Sequence, residues 1–141
     1  MIKTVYLAHG VEECQVIARE IQADLTRNGV VVLNPFDRSE QPLYNQMVAD
    51  GVDFNKEVSK KIVMVDLSMI DIADGMVAIP GKTSIGTHME IFYASHVWRK
   101  PVFLLWLHKS TYKHPWLNHL TYYYTDPAQF KTAVLGWANG Q

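Results

Sequence analysis

Glu90 follows Ser84 closely in Ser84-Ile85-Gly86-Thr87-His88-Met89-Glu90, a stretch that reads as the opening turns of a helix. The macrodipole there favours an ionised carboxylate, so Glu90 is a candidate nucleophile or stabiliser of positive charge. The unpaired N–H groups at such a terminus also make Ser84 a candidate anion contact, with a plain N-cap as the alternative. A second carboxylate, Asp66, falls near the end of the preceding helical stretch, with Asp71 as a rival and Asp74 reading as the end of that helix. Tyr6 lies on the first strand, where its phenol suits a hydrogen bond to a carboxylate or, equally, core packing.

Other familiar patterns fail on spacing. Gly81-Lys82-Thr83 sits between a strand and a helix like a P-loop, but the glycine required upstream is replaced by Met76, with Gly75 one residue out of place. His9-Gly10-Val11-Glu12 holds one glycine where a dinucleotide fingerprint needs three. His114 and His119 do not share a helix face and no carboxylate completes a ligand set, so no metal is expected. Tyr122-Tyr123-Tyr124 reads as a half-buried strand rather than a stacking platform for bases.

The elements that must position these residues alternate. Continuous apolar runs at 4–8, 30–33, 75–79 and 102–106 read as buried strands, and 122–124 as a short fifth. Helices are expected from Val11 to Asn28, closed by Gly29, and from about Asp53 with Val58, Ile62, Val65, Met69 and Ile72 inward. A helix capped by Ser84 should bury Met89, Phe92, Tyr93 and Val97, and one starting at Asp126-Pro127 should bury Phe130, Val134 and Trp137. Residues 34–52 show no clear period and are expected to be a long functional loop. Strand and helix alternate with apolar strands, which predicts a flavodoxin-like or Rossmann-like three-layer α/β sandwich with a parallel sheet of four to five strands. In such sheets ligands sit beyond the carboxyl ends of the strands, which directs attention to His9-Gly10, Asn34-Pro35-Phe36-Asp37, 80–84 and the loop after Trp106.

The chain has 141 residues, 48% of them hydrophobic and 19% charged, which suits a single folded domain over 1–141 and excludes disorder as its overall state. A net charge of −1 gives no reason to expect a nucleic-acid polymer or an anionic membrane as partner. No apolar run approaches the roughly 18 residues needed to span a bilayer. Cys14 is the only cysteine, and Met1-Ile2-Lys3-Thr4 leads into strand-like sequence without a secretory pattern, so a cytoplasmic location is expected.

Residues 66–79, the run Ser84-Ile85-Gly86-Thr87-His88-Met89-Glu90-Ile91-Phe92-Tyr93-Ala94, Lys100-Pro101-Val102, Val5-Tyr6-Leu7-Ala8 and Asn34-Pro35 form an ordered set over most of the chain. The set resembles the nucleoside 2-deoxyribosyltransferase-like superfamily, which includes nucleoside 5′-monophosphate N-glycosidases. That resemblance implies Glu90 as nucleophile, Asp66 as acid/base and Tyr6 as the residue holding the nucleophile. Cleaving the N-glycosidic bond builds oxocarbenium character at C1′, which a carboxylate can stabilise or trap as a ribosyl-enzyme. No metal or organic cofactor is implied.

In the nucleoside-transferring members the residue just before the glycine is acidic, whereas here it is Ile85. In the nucleotide-hydrolysing members a serine two residues before the glycine helps bind the 5′-phosphate, as Ser84 would here beside Gly86 and Thr87. The resemblance therefore implies hydrolysis of a (deoxy)nucleoside 5′-monophosphate to free base and (deoxy)ribose 5-phosphate. Base exchange by a deoxyribosyltransferase and a non-catalytic nucleotide sensor are the alternatives. Relatives that hydrolyse nucleotides often carry an arginine after strand one; His9-Gly10 stands there, leaving His9, Arg38 or Lys82 to supply positive charge. Phe36 and Tyr44 are candidates to stack on the base, with 34–52 as a lid or as ordinary loop anchoring. Asn118 matches a family asparagine that reaches a neighbouring subunit's site, so a homodimer or larger assembly is implied.

Overall fold

Five strands, β1 (Thr4–His9), β2 (Val31–Leu33), β3 (Gly75–Ile79), β4 (Val102–Leu105) and β5 (Tyr122–Tyr124), form one parallel sheet in the order β2-β1-β3-β4-β5. The computed structural model describes residues 2–10, 14–82, 84–109 and 113–140. Among these residues α1 (Gln15–Arg27), α2 (Gln41–Ala49), α3 (Lys56–Ile72), α4 (Ile85–Phe92) and α5 (Pro115–Leu120) connect the strands, and α6 (Pro127–Ala138) follows β5. The strand order and all-parallel pairing are those of a flavodoxin-like three-layer sandwich.

Side chains of a strand alternate between faces, and β1 divides the core accordingly. Val5 and Leu7 pack with Ala18 and Ile21 of α1 and with Phe130 and Val134 of α6. Tyr6 and Ala8 pack on the other side with Ile70 of α3, Ile91 of α4 and Leu117 of α5. A tyrosine is thus fully buried among mostly aliphatic side chains, and its hydroxyl must find a partner there.

The carboxyl end of α3 is tied down by Lys100, whose Nζ donates to the carbonyls of Ile70 at 2.8 Å and Asp71 at 2.7 Å. A cation at a helix C-terminus satisfies unpaired carbonyls and meets the dipole favourably. Asp71 accepts from Tyr93 at 2.5 Å and from Trp98 at 2.8 Å. The rival carboxylate of α3 is thereby engaged in fastening α3 to the π-helical segment Tyr93–Val97 that follows α4.

Several expectations are corrected. Residues 34–52 are not a loop: a 3-10 turn over Pro35–Asp37 leads into α2, whose apolar residues are mostly exposed and so leave no clear period. On α3 the inward face runs through Ile70, with Ile72 72% exposed and Val65 also exposed. On α4 the inward residues are Thr87 and Ile91, while Met89 is 68% exposed and Phe92 and Val97 are exposed too. Short, largely apolar helices offer more than one stripe to the eye, and only packing against the sheet selects one. Strand β2 is an edge, not a strand buried on both faces, and Val31 is exposed. The loop expected after β4 holds α5, and the expected helix start at Val11 lies outside the described residues.

Candidate active site

Chain order sends β1 outward to β2 and β3 outward to β4, which opens a crevice between their carboxyl ends. At that point two turns meet backbone to backbone. Gly10 N donates to Ile79 O at 3.1 Å, and a Cβ on Gly10 would stand 2.8 Å from both Cα and N of Gly81. Glycine is required here by close approach, not by a special φ.

On the α3/α4 face of the sheet, the Tyr6 hydroxyl donates to Glu90 Oε2. Tyr6 is fully buried, and burial followed by the negative charge of Glu90 pushes its phenol far above the ordinary tyrosine range, so it remains a donor. Burial is also the main influence on Glu90, raising its carboxyl to about 7; the Tyr6 hydrogen bond and Arg38 act against this, and Asp66 adds to it. Glu90 lies beyond the first turn of α4, and desolvation there outweighs the helix dipole expected to keep it ionised.

Asp66 projects from α3 into the same group, and its Oδ1 accepts from Arg38 Nη2. Burial raises the Asp66 carboxyl, while the adjacent guanidinium pulls it back. Sequence considerations placed Arg38 only among candidates for phosphate binding. Its pairing with a residue on another element carries no local sequence signal.

His9 is placed elsewhere. It follows the alternation of Val5 and Leu7 onto the opposite face, is buried, and stacks on Phe36 with ring centroids 4.4 Å apart. Its Nδ1 lies 2.8 Å from Gly10 O, an acceptor only, so Nδ1 carries the hydrogen; burial, the largest influence, holds the ring below its ordinary pKa. A neutral His9 supplies no positive charge, and Arg38 is already paired. Of the cations considered, Lys82 remains exposed beside the start of α4.

Ser84 occupies the N-cap position of α4 without capping it: its hydroxyl donates to Gly81 O at 3.1 Å. Lys82, Ser84, Ile85, His88 and Met89 line a shallow, open depression at this terminus. Thr87 is buried, and nothing lies within 4 Å of a Cβ built on Gly86. Tyr44 packs edge-on against Phe54 at 5.9 Å, and Asn118 stands exposed on α5. Among the described residues no three His, Cys, Asp or Glu side chains converge as a metal site, and no helix is long and apolar enough to cross a membrane.

Fold and site together define a flavodoxin-like α/β protein with two partly buried carboxylates, a buried phenol and a guanidinium in one cluster. The chain is similar to a solved 2-deoxyribosyltransferase from the psychrotolerant bacterium Bacillus psychrosaccharolyticus, at 25% identity and a TM-score of 0.64, over 94% of this chain and 95% of that one. That protein is described as a biocatalyst for the synthesis of antiviral and antitumoral nucleosides. No protein-family model matches the sequence, and no curated protein does. The fold, along nearly the whole of both chains, is that of the nucleoside 2-deoxyribosyltransferase-like superfamily.

Proposed function

We propose that this chain is an enzyme that cleaves the N-glycosidic bond of a nucleoside-type substrate and passes the sugar to a second base. The observation that carries this reading is the partly buried cluster in which Tyr6 holds Glu90 while the charge of Asp66 raises it. Glu90 Oε attacks C1′, the C1′–N bond breaks with its electron pair going to the base, and Asp66 delivers a proton to the leaving nitrogen. An incoming base then gives its N–H proton to Asp66 and attacks C1′, releasing Glu90. The pair works with one proton between them, on Asp66 at the moment of attack.

Similarity to a 2-deoxyribosyltransferase supports base exchange. A second reading, hydrolysis of a nucleoside 5′-monophosphate, is favoured by the start of α4, where Ser84 and Lys82 flank an open depression and Ile85 offers no carboxylate to a free 5′-hydroxyl. In that case water takes the place of the second base. The 141 residues act as one catalytic domain. Asn118 on α5 serves the site of a second copy in a homodimer.

Incubation with deoxynucleosides and with monophosphates separately, with and without an acceptor base, tests both readings by chromatography. A new nucleoside formed only with acceptor supports transfer, and base release from monophosphates without acceptor supports hydrolysis. Nucleotide binding with no base release marks a non-catalytic module. Base release by Glu90→Ala at the wild-type rate would remove the mechanism.

A further inference from the structure

Arg38 is a cation confined inside the cluster. Its side chain is 8% exposed and that of Asp66 19%, so water does little to screen either. Its guanidinium is held from two sides: Nε donates to Pro35 O at 2.6 Å, and Nη2 to Asp66 Oδ1. The segment that carries it is itself anchored. Asn34 accepts from Phe36 N at 2.9 Å, and Asp37 accepts from Arg19 at 2.7 Å and from Gln22 at 3.2 Å on α1. The planar guanidinium also lies 5.9 Å from the Tyr44 ring of α2. A chain of hydrogen bonds thus runs from α1 through the turn after β2 to the acid/base carboxylate on α3.

We propose that Arg38 is the positioning residue of this site, fixing the Asp66 carboxylate and setting the pH at which Asp66 and Glu90 give up the protons they hold between them. This rests on the roles proposed above for those two carboxylates. The groups facing Asp66 are Arg38 from the turn after β2, Tyr6 from β1 and Glu90 from α4. Tyr6 is neutral, so among the described residues Arg38 is the positive charge set against the two carboxylates. Two interacting carboxyls release their protons in steps that belong to the pair. A neighbouring cation moves both steps to lower pH, and its removal moves both up. Arg38 reaches the Pro35 carbonyl through Nε and the carboxylate through Nη2, two donors held apart on one plane, whereas a lysine offers a single point-charge nitrogen that cannot aim the carboxylate in the same way.

Carbon-13 NMR titration of the Asp66 and Glu90 carboxyls, beside pH profiles of kcat and circular dichroism, in wild type, Arg38→Gln and Arg38→Lys tests this. Arg38→Gln should shift both titration steps, and both limbs of the pH profile, upward by about one pH unit or more. Arg38→Lys should titrate close to wild type but lose roughly tenfold in kcat, because the carboxylate is no longer aimed. Unchanged carboxyl titrations in a folded Arg38→Gln protein overturn the inference. If that variant does not fold, an Arg38→Lys protein with wild-type kcat and an unmoved profile overturns it instead. The titrations need no turnover: shifted titrations in a chain that cleaves no substrate would leave Arg38's role standing and remove the proposed activity, and an active wild type with unmoved titrations would do the reverse.

Discussion

The Tyr6 hydroxyl, buried in mid-strand on β1, donates to the carboxylate of Glu90, which α4 delivers from 84 residues further along the chain. Tyr6→Phe removes the donor while keeping the ring that fills the core. Since that hydrogen bond opposes the rise of the Glu90 carboxyl, its loss should move the carboxyl above about 7. A hydrogen bond to a charged group is worth about 1.5–3 kcal/mol, so kcat should fall roughly tenfold to a hundredfold. Steady-state kinetics across pH would show both effects, and an unchanged profile would dissociate Tyr6 from Glu90.

Activity should decline as pH rises through about 7, where the carboxyl pair loses its last proton, and again at low pH, where it takes a second. A kcat/KM that climbs steadily from pH 6 to 8 would contradict the assignment of one shared proton.

Glu90→Gln should abolish turnover yet stabilise the fold at neutral pH. The folded carboxyl is raised from 4.5 to about 7, so its contribution to stability is present below 4.5 and is lost as pH rises to 7. At about 1.4 kcal/mol per pH unit, this amounts to a few kcal/mol, which the amide avoids. Thermal melts at pH 5 and pH 8 should differ less in the variant than in wild type.

Gly10→Ala forces a methyl to within 2.8 Å of the Gly81 backbone, where no flexible side chain can yield. Overpacking of this kind costs about 1–3 kcal/mol, read as a lower Tm, and it should weaken substrate binding by prising the two turns apart. Gly86→Ala meets nothing within 4 Å and should leave Tm unchanged or higher. A raised KM in that variant would mark Gly86 as a surface the substrate crosses.

Much of the scaffold was legible because its signals are local. The apolar runs of β1, β3 and β4, and Asp126 as the cap of α6, follow from composition and backbone chemistry over a few residues. Helix α2 was missed because its apolar side chains pack on little, so no period was imposed on them. The inward stripes of α3 and α4 were misjudged because both helices carry more apolar residues than they bury.

The sequence by itself determined the alternation of strand and helix, and hence a parallel three-layer fold, along with the identity of Tyr6, Asp66 and Glu90 as candidates, because residue type and order suffice for those. The tertiary structure alone decided that Asp71 fastens α3 while Asp66 pairs with Arg38 and acts on the charge of Glu90, and that His9 lies on the opposite face with its ring held below its ordinary pKa. Charge state and pairing depend on desolvation and on distances between segments remote in sequence, and both exist only once the layers have packed.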